Sequence, residues 1–346
     1  MTIYDIAKAC NVSIATVSRV LNGSTKVSPK TREKVLAAMN EQNYTPNPFA
    51  RGLGLNSMKM IGLLCTDVSD AYFAKAVSLV ERDLRKRGLD VILSCTGTEL
   101  SHKKKSLQLL MDKHVDAIIL IGSPFREETD NSHIFAAAKK IPLITINGLI
   151  EMPNIYSIIC DEQSGMAHSV DLLAQEGHRS ILYLHDTLTY SGKQKLEGYR
   201  QAVELHKLDK NPALIQKIPR TLEAAEKIVQ DLISRGISFS AIIASEDLLA
   251  VGAQKGLTSL SQHKRKRRHI PVIGCNNSIL AECSTPSLTS LDNRLDVLCP
   301  AAVDTLTKIL SGNTETIPAK AVFSPILVTR DSFQPASQDE QKKSGA

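Results

Sequence analysis

Short apolar runs alternate with amphipathic segments over most of this 346-residue chain, and this alternation constrains the fold more than any other feature. Between the runs, apolar residues recur at helical spacing. A strand followed by a helix and a further strand favours parallel pairing, with the helices packed on the sheet faces. Strands are predicted at residues 61–65, 90–94, 117–121, 143–147, 156–160, 181–185, 241–244 and 272–274. Helices are predicted at residues 74–87, 103–113, 133–139, 163–176, 193–204, 222–235 and 248–256.

The length predicts two or three domains. Seven cysteines are scattered without a Cys-x-x-Cys pair, which argues against structural zinc and against a disulfide framework and predicts reduced, buried thiols. No apolar run reaches a membrane-spanning length, and the N-terminus lacks a basic-then-apolar secretion signal. We therefore expect a cytoplasmic protein without a membrane partner.

The first residues follow a different pattern, with two short helices joined tightly. Ile6, Ala7 and Cys10 share one helical face, and Asn11 can end that helix. Ser13 can cap a second helix that runs to about Leu21. This arrangement predicts a helix-turn-helix, although a small helical cap without a ligand would show the same pattern.

The outer face of the second predicted helix suits a DNA major groove. Val17, Val20 and Leu21 point to a core, which leaves small and hydroxylic side chains and one arginine facing outward. Methyl groups can contact thymine, hydroxyls can bind phosphate and arginine can bind guanine. These outward residues are Ile14, Ala15, Thr16, Ser18 and Arg19.

Charge is concentrated in the same segment. Residues 1–57 contain seven basic and three acidic residues, which places +4 of the net charge of +6 there. Such a basic segment on a nearly neutral body indicates a nucleic-acid-binding head, although surface solvation would give the same count.

A third helix and a short hinge follow the pair. Ser28 and Pro29 read as an N-cap and first helical position, and the helix extends to about Asn43. Residues 47–53 offer only about two turns before glycines weaken a helix, so they should fold only when a partner supplies contacts. An ordinary linker is the alternative.

These residues resemble the head and hinge of the lactose-repressor (LacI/GalR) family of bacterial transcription regulators. The resemblance implies a homodimeric repressor on a pseudo-palindromic double-stranded operator, with paired hinge helices in the minor groove and Leu53 wedged between base pairs. The matching stretches are Ile3-Tyr4-Asp5-Ile6-Ala7, Val12-Ser13-x-x-Thr16-Val17-Ser18-Arg19-Val20-Leu21-Asn22 and Tyr44-x-Pro46-Asn47-x-x-Ala50-Arg51-x-Leu53. The DNA-binding residues it implies are Ser13, Ile14, Ala15, Thr16, Ser18, Arg19, Asn22, Tyr44, Asn47, Ala50 and Leu53.

Residues 60–329 are similar to the sugar-binding core of the same family and to periplasmic binding proteins. The expected fold class is multidomain: an all-α helix-turn-helix head with a hinge, then an α/β core of two doubly wound parallel-sheet subdomains. The expected domains are a head at 1–46, a hinge at 47–58, a core at 59–333 and a disordered tail at 334–346. Within the core, the first subdomain is expected at 59–161 and 293–320, and the second at 162–290 and 321–333.

The resemblance implies a small-molecule effector in the cleft between the subdomains, where ligands gather beyond the carboxyl ends of parallel strands. By position, Tyr72 and Phe73 resemble stacking aromatics, Asp70 a polar ligand and Asp247 the cleft carboxylate. Lys193 or Lys195 resembles the cation and Asn293 the crossover amide.

Two positions depart from the sugar-binding pattern. Asn147-Gly148 stands where sugar binders commonly have an Asp-Arg pair, and Cys275-Asn276 replaces an aromatic-Asp pair. Asn147 and Asn276 are the candidate effector-binding residues at these two positions. Each lost charge-assisted hydrogen bond is worth about 1.5–3 kcal/mol in a buried site. The cleft could therefore bind a different polyol, a phosphorylated or neutral ligand through Lys195, or no small molecule, and a phosphoprotein corepressor stays open.

Other functions find little support in the sequence. We find no catalytic constellation, phosphate-binding loop or metal-ligand spacing, so an enzyme, a cofactor and a metal site are not expected. A solute-binding sensory protein would need export and no head. The basic run at residues 263–269 could touch DNA or an acidic partner, but a solvated loop is the preferred interpretation.

Overall fold

The computed structural model describes residues 2–44, 57–261, 270–314 and 316–335. Its first part is a head of three helices, α1 Ile3–Ala9, α2 Ile14–Leu21 and α3 Pro29–Glu41. The Ser13 hydroxyl accepts the Thr16 backbone N–H at 3.1 Å, and the Ser28 hydroxyl accepts that of Thr31 at 3.2 Å. Both predicted N-caps are therefore present. The head encloses its own small core of Ile6, Ala7, Cys10, Val17, Val20, Val27, Val35 and Met39.

The first core subdomain is a six-stranded parallel sheet covered by helices on both faces. Helices α4 and α12 pack on one face, and α5 and α6 on the other. The strands run in the order β2-β1-β3-β4-β5-β11. They are β1 Met60–Cys65, β2 Asp90–Cys95, β3 Ala117–Ile121, β4 Leu143–Ile146, β5 Ile155–Cys160 and β11 Lys320–Phe323. The helices are α4 Ala71–Lys86, α5 Leu100–Asp112, α6 Ser132–Ala138 and α12 Leu295–Leu310.

The second subdomain repeats this plan. Helices α7 and α8 cover one face, and α9, α10 and α11 lie on the other. The strand order is β7-β6-β8-β9-β10-β12, with only β12 antiparallel to its neighbour. The strands are β6 Ile181–His185, β7 Ile215–Lys217, β8 Ala241–Ala244, β9 Val272–Cys275, β10 Thr289–Asp292 and β12 Ile326–Val328. The helices are α7 Glu162–Gln175, α8 Tyr190–Leu205, α9 Leu222–Ser234, α10 Asp247–Ser261 and α11 Ile279–Cys283.

The chain passes between the subdomains at three places. The first follows β5, the second lies between β10 and α12, and the third lies between β11 and β12. Because β11 pairs with β5, the third passage falls between Phe323 and Ile326, a few residues later than the boundary expected after residue 320. Each subdomain is thus built from separated segments of the sequence.

The eight strands and seven helices predicted from the alternation are all present, with ends shifted by a few residues. Several elements in the C-terminal part of the core were not predicted. Three of them, β7, β11 and β12, are short strands at the sheet edges. Helix α12 was missed because it contains Pro300, and a proline normally signals the end of a helix. None of the described helices is both long and apolar enough to cross a membrane.

Candidate functional site

Helix α2 presents an exposed face that its own head does not cover. Val17 and Val20 are buried, whereas Ser13, Ile14, Ala15 and Arg19 are exposed. Thr16, Ser18 and Asn22 are half-buried at the edge of this face. The Ile14 side chain is 40% exposed, which leaves it accessible to a partner.

The remaining DNA-binding candidates lie apart from α2. Tyr44 is half-buried and packs against the head core, which ties the end of the head to α3. Asn47, Ala50 and Leu53 lie outside the described residues, as does the basic run at 263–269.

A cavity of about 510 Å³ lies in the cleft between the two subdomains, at the carboxyl ends of their strands. Both subdomains line it, which matches the rule that ligands of open parallel sheets bind beyond the strand ends. Six of the nine predicted effector-binding residues line this cavity: Tyr72, Phe73, Asn147, Lys195, Asn276 and Asn293.

The aromatic wall of the cavity comes from the first turn of α4. The rings of Tyr72 and Phe73 are 5.4 Å apart with an interplanar angle of 83°, an edge-to-face arrangement. The Asp70 carboxylate caps α4 by accepting the backbone N–H groups of Tyr72 at 2.8 Å and Phe73 at 3.2 Å. This cap fixes the turn that carries both rings.

A buried polar network forms the floor. The Lys195 ammonium donates to the Ser245 carbonyl at 3.0 Å and lies 3.2 Å from the Glu162 carboxylate. The Asn293 side-chain amide donates to Glu162 at 3.0 Å and to the Asn276 side-chain oxygen at 2.9 Å. Lys195 is therefore neutralised by a partner inside the protein.

Burial and neighbouring groups act on the pKa of Lys195 in opposite directions, and the effect of the neighbouring groups is the larger. Burial by itself would lower the pKa of this ammonium, but Cys275, Glu162 and Glu246 together hold the pKa well above its usual value. The ammonium therefore stays charged, with Glu162 as its partner inside the protein.

Three of the nine predicted residues do not line the cavity. Asp247, expected as the cleft carboxylate, is buried and accepts the Ser278 backbone N–H at 2.6 Å and the hydroxyls of Ser278 at 2.8 Å and Ser290 at 2.5 Å. Through these hydrogen bonds Asp247, at the start of α10, connects that helix to β10 and to the start of α11. Asp247 therefore lies behind the cavity wall in this structure, and the carboxylate next to it in sequence, Glu246, lines the cavity instead.

The other two residues are used in ion pairs. Lys193 pairs with Glu128, and both side chains are largely exposed. The second oxygen of the Asp70 carboxylate pairs with Arg220, which belongs to the other subdomain.

Arg220 and two of its acidic partners, Asp186 and Glu246, were not among the predicted site residues, whereas its third partner, Asp70, was. The guanidinium lines the cavity, pairs with Asp70 and Glu246, and lies 3.9 Å from Asp186. Arg220 and Asp186 come shortly after β7 and β6, so the strand-end rule was the signal that could have found them. Glu246 precedes Asp247 directly, and only the orientation at the start of α10 decides which carboxylate faces the cavity.

The electrostatics of this cluster leave one carboxylate close to half charged at neutral pH. Burial raises the pKa of Glu246 to about 7 in spite of the opposing effect of Arg220. Burial opposes the charge of Arg220 too, but Glu246 and Asp70 raise its pKa above the usual value. The guanidinium therefore stays charged.

The opposite rim carries further polar contacts. The Ser123 hydroxyl donates to that of Thr189 at 2.9 Å, which joins the two subdomains. Lys103 is buried and donates to the Pro124 carbonyl at 2.7 Å and to Glu127 at 2.6 Å. Arg126 lies over the Tyr190 ring, 5.9 Å from its centroid.

Two buried hydroxyls of the cavity wall, those of Tyr72 and Ser245, have no hydrogen-bond partner within the described part of the chain. A buried hydroxyl without a partner costs about 1–3 kcal/mol, which a ligand hydroxyl could recover. Across the described ranges there is no group of three acidic, histidine or cysteine side chains that could hold a metal ion.

Two family models match the chain. Residues 2–47 match "Bacterial regulatory proteins, lacI family", and residues 58–270 match "Periplasmic binding proteins and sugar binding domain of LacI family". An HTH-type transcriptional regulator of Lachnoclostridium phytofermentans is 44% identical over 95% of this chain and 98% of the relative. The ribose operon repressor of Haemophilus influenzae is 30% identical over 96% of this chain and 98% of the relative.

Solved structures share the whole architecture. The lac repressor dimer bound to operator and the anti-inducer ONPF superimposes with a TM-score of 0.82 at 24% identity, over 96% of this chain and 98% of that chain. The transcriptional regulator CelR in complex with cellobiose gives a TM-score of 0.69 at 24% identity, over 96% of this chain and 100% of that chain. The two family matches and the 44% identical relative show that the chain belongs to the lacI family of bacterial regulatory proteins, which are DNA-binding transcriptional regulators and not enzymes.

Proposed function

We propose that this protein is a homodimeric repressor whose binding to operator DNA is controlled by an uncharged carbohydrate in the cleft. The observation that carries the proposal is the combination of an aromatic wall with a polar wall whose main cations are already neutralised. Sugars fit such a site because their ring faces stack on aromatic side chains while their hydroxyls exchange hydrogen bonds with carboxylates and amides.

The charge pattern favours a neutral effector over a phosphorylated one. Lys103, Lys195 and Arg220 each have a carboxylate partner, so a phosphate would have to compete with these ion pairs. Arg126 is the one cavity-lining cation without an ion pair in the described ranges, and its guanidinium lies over an aromatic ring. The same pairing of Lys195 weighs against a phosphoprotein corepressor bound through that residue.

On the DNA side, helix α2 of each subunit enters one half-site major groove. Ile14 and Ala15 set base preference, and Arg19 contacts guanine. The DNA phosphate backbone is contacted by Ser13, Thr16, Ser18, Asn22 and Tyr44. The hinge, which contains Asn47, Ala50 and Leu53, binds in the minor groove.

Effector binding is coupled to DNA binding through the angle between the subdomains. Asp70 with Arg220 at one rim and Ser123 with Thr189 at the other hold the cleft closed. A ligand that prefers one angle shifts the population of that state and with it the presentation of the paired hinges.

A random-pool selection tests the DNA half of the proposal. Bound duplexes are selected at fixed salt, first without additive and then with a panel of neutral sugars and the corresponding sugar phosphates. We expect a pseudo-palindromic site and a neutral sugar that changes its occupancy. A site without two-fold symmetry, or a response to sugar phosphates alone, would overturn the proposal.

A double variant tests whether Ile14 and Ala15 contact the DNA bases. Ile14→Ala combined with Ala15→Gln should change the selected sequence while the salt dependence of binding stays the same, because base contacts carry sequence information and phosphate contacts carry the salt slope. Lys227→Ala, a change on α9 of the second subdomain, is the control and should select the parent's sequence. An unchanged preference in the double variant removes these two residues from base readout.

A further inference from the structure

Two cysteines at neighbouring strand ends lie close enough to react with each other. Cys65 ends β1 and Cys95 ends β2, and the two are direct partners in the parallel register. Their sulfur atoms are 3.8 Å apart. Side chains of register partners in parallel strands project to the same side, and adjacent strands lie about 4.8 Å apart, within the Cα separations that disulfides span. A bond of about 2.05 Å thus needs the sulfurs to approach by roughly 2 Å, which side-chain rotation can supply.

The two thiols differ in accessibility. Cys65 is fully buried in the core of the first subdomain, whereas Cys95 is exposed on the edge strand. Burial, followed by the nearby Cys95, raises the pKa of the Cys65 thiol to about 12. Because only Cys95 of the pair is exposed, an oxidant from solution meets Cys95 first. The Cys65 thiol, which burial keeps protonated, lies 3.8 Å behind it, and this proximity makes it the resolving thiol.

We propose that Cys65 and Cys95 form a reversible disulfide when a hydroperoxide reaches Cys95. The peroxide oxidises the Cys95 sulfur to a sulfenic acid, and its O–O bond breaks with release of water. The Cys65 sulfur then attacks the Cys95 sulfur, the S–O bond breaks, and the hydroxyl leaves as a second water with the Cys65 proton. Two thiols and one hydrogen peroxide thus give one disulfide and two waters, and a small thiol reverses the bond by exchange.

The Cys65–Cys95 pair lies next to the effector cleft. An effect of the disulfide on effector binding therefore rests on the proposed function, whereas the formation of the disulfide does not. Thr66, which follows Cys65, and Thr98, shortly after Cys95, both line the cavity. The Thr96 N–H donates to the Cys65 carbonyl and the Gly97 N–H to the Thr66 carbonyl, each at 2.9 Å. A covalent bond at the base of these two segments restrains the cavity wall that they form.

Peptide mapping of the full-length protein tests the chemistry. The protein is treated with hydrogen peroxide, remaining thiols are blocked with N-ethylmaleimide under denaturing conditions, and the digest is analysed by mass spectrometry with and without dithiothreitol. We expect loss of two of the seven thiols and a Cys65–Cys95 cross-linked peptide that dithiothreitol removes. Cys95→Ser should abolish the cross-link, while Cys283→Ser, which removes the other exposed cysteine, should leave it unchanged.

Two outcomes overturn the proposal. One is oxidation of Cys95 to sulfinic acid, or its cross-linking between chains, while Cys65 remains a free thiol. The other is a cross-link pattern unaffected by Cys95→Ser. Hydrogen exchange of residues 66–73 reports the effect on the cleft separately: we expect slower exchange in the oxidised protein. If the cross-link forms but hydrogen exchange of residues 66–73 is not slowed, the coupling to the cleft is contradicted. The proposals on operator binding and on a carbohydrate effector would not be affected.

Discussion

At the scale of single residues, Glu246 links the cavity to pH. Its pKa of about 7 lies above the ordinary value of 4.5 because burial disfavours the charged form. The folded state therefore binds this proton more tightly than the unfolded state, and the contribution to stability is lost as pH rises from about 5 to 8, by at most about 3 kcal/mol.

Glu246→Gln should remove this dependence. Urea unfolding of parent and variant at pH 5, 6, 7 and 8 is the measurement, and the difference between their free energies of unfolding should shift in favour of the variant as pH rises. Burial lowers the pKa values of His133, His178 and His185, whose contribution has the opposite sign but is common to both proteins. Glu197→Gln, an exposed change on α8, is the control, and parallel curves for Glu246→Gln contradict the prediction.

The pair Glu246 and Asp247 shows where sequence reasoning about a site stops. The strand-end rule places both residues at the mouth of the second sheet, but their directions depend on serines contributed by α11 and β10, far away in sequence. Arg220 was missed for a related reason, since the edge strand β7 before it has only three residues. Tyr72, Phe73 and Asn147 were predictable because they follow β1 and β4, two buried strands whose mostly apolar runs stand out in the sequence.

At the scale of elements, the N-caps of α2 and α3 provide a matched pair. Ser13→Ala and Ser28→Ala each remove a hydroxyl that accepts a backbone N–H three residues later, so each should lower the stability of the head by about 1 kcal/mol. Only Ser13 lies on the proposed DNA face. Gel-shift titration on the selected operator should therefore show weaker binding for Ser13→Ala than for Ser28→Ala, and equal affinities would remove the Ser13 hydroxyl from the interface.

The contact between α7 and α8 is close because a glycine lies in it. A Cβ atom on Gly198 would come within 2.1 Å of the Gln163 carbonyl oxygen. Backbone atoms cannot yield as a flexible side chain can, so Gly198→Ala should separate the two helices and cost about 2–4 kcal/mol in the free energy of unfolding. Gln201→Ala, exposed on the same helix, should change it by less than about 0.5 kcal/mol. Similar denaturant midpoints for the two variants would show that the helices have room to adjust.

At the scale of the whole molecule, the Asp70–Arg220 pair joins the two subdomains across the cleft. Arg220→Gln leaves Asp70, Asp186 and Glu246 close together without their cation, and we expect a loss of about 1–3 kcal/mol in stability. Asp70→Asn added to this variant should recover part of the loss. The exposed pair Arg235 and Asp231 is the control, with a coupling of about 0.5 kcal/mol or less. A double-mutant cycle that gives no larger coupling for Asp70 and Arg220 would show that this contact does not hold the cleft closed.

The overall architecture was predictable because continuous apolar runs mark strands that are buried on both faces. What the runs could not indicate is the exchange of strands between sheets. Lys320–Phe323 and Ile326–Val328 are neighbouring, partly exposed segments of similar composition, yet they join different sheets. Their destinations depend on which sheet edge is open to each, a property of the assembled molecule.

The three passages between subdomains affect the order in which the protein can mature during synthesis. Helix α12 covers one face of the first sheet with Leu298, Val303 and Leu306, and β11 completes its edge. Both leave the ribosome only after β6–β10 of the second sheet. At about 5–20 residues per second, the apolar face of the first sheet waits on the order of ten seconds for its last helix. The nascent N-terminal half thus carries an uncovered surface suited to chaperone recognition, and it becomes complete only when the C-terminal half has been made.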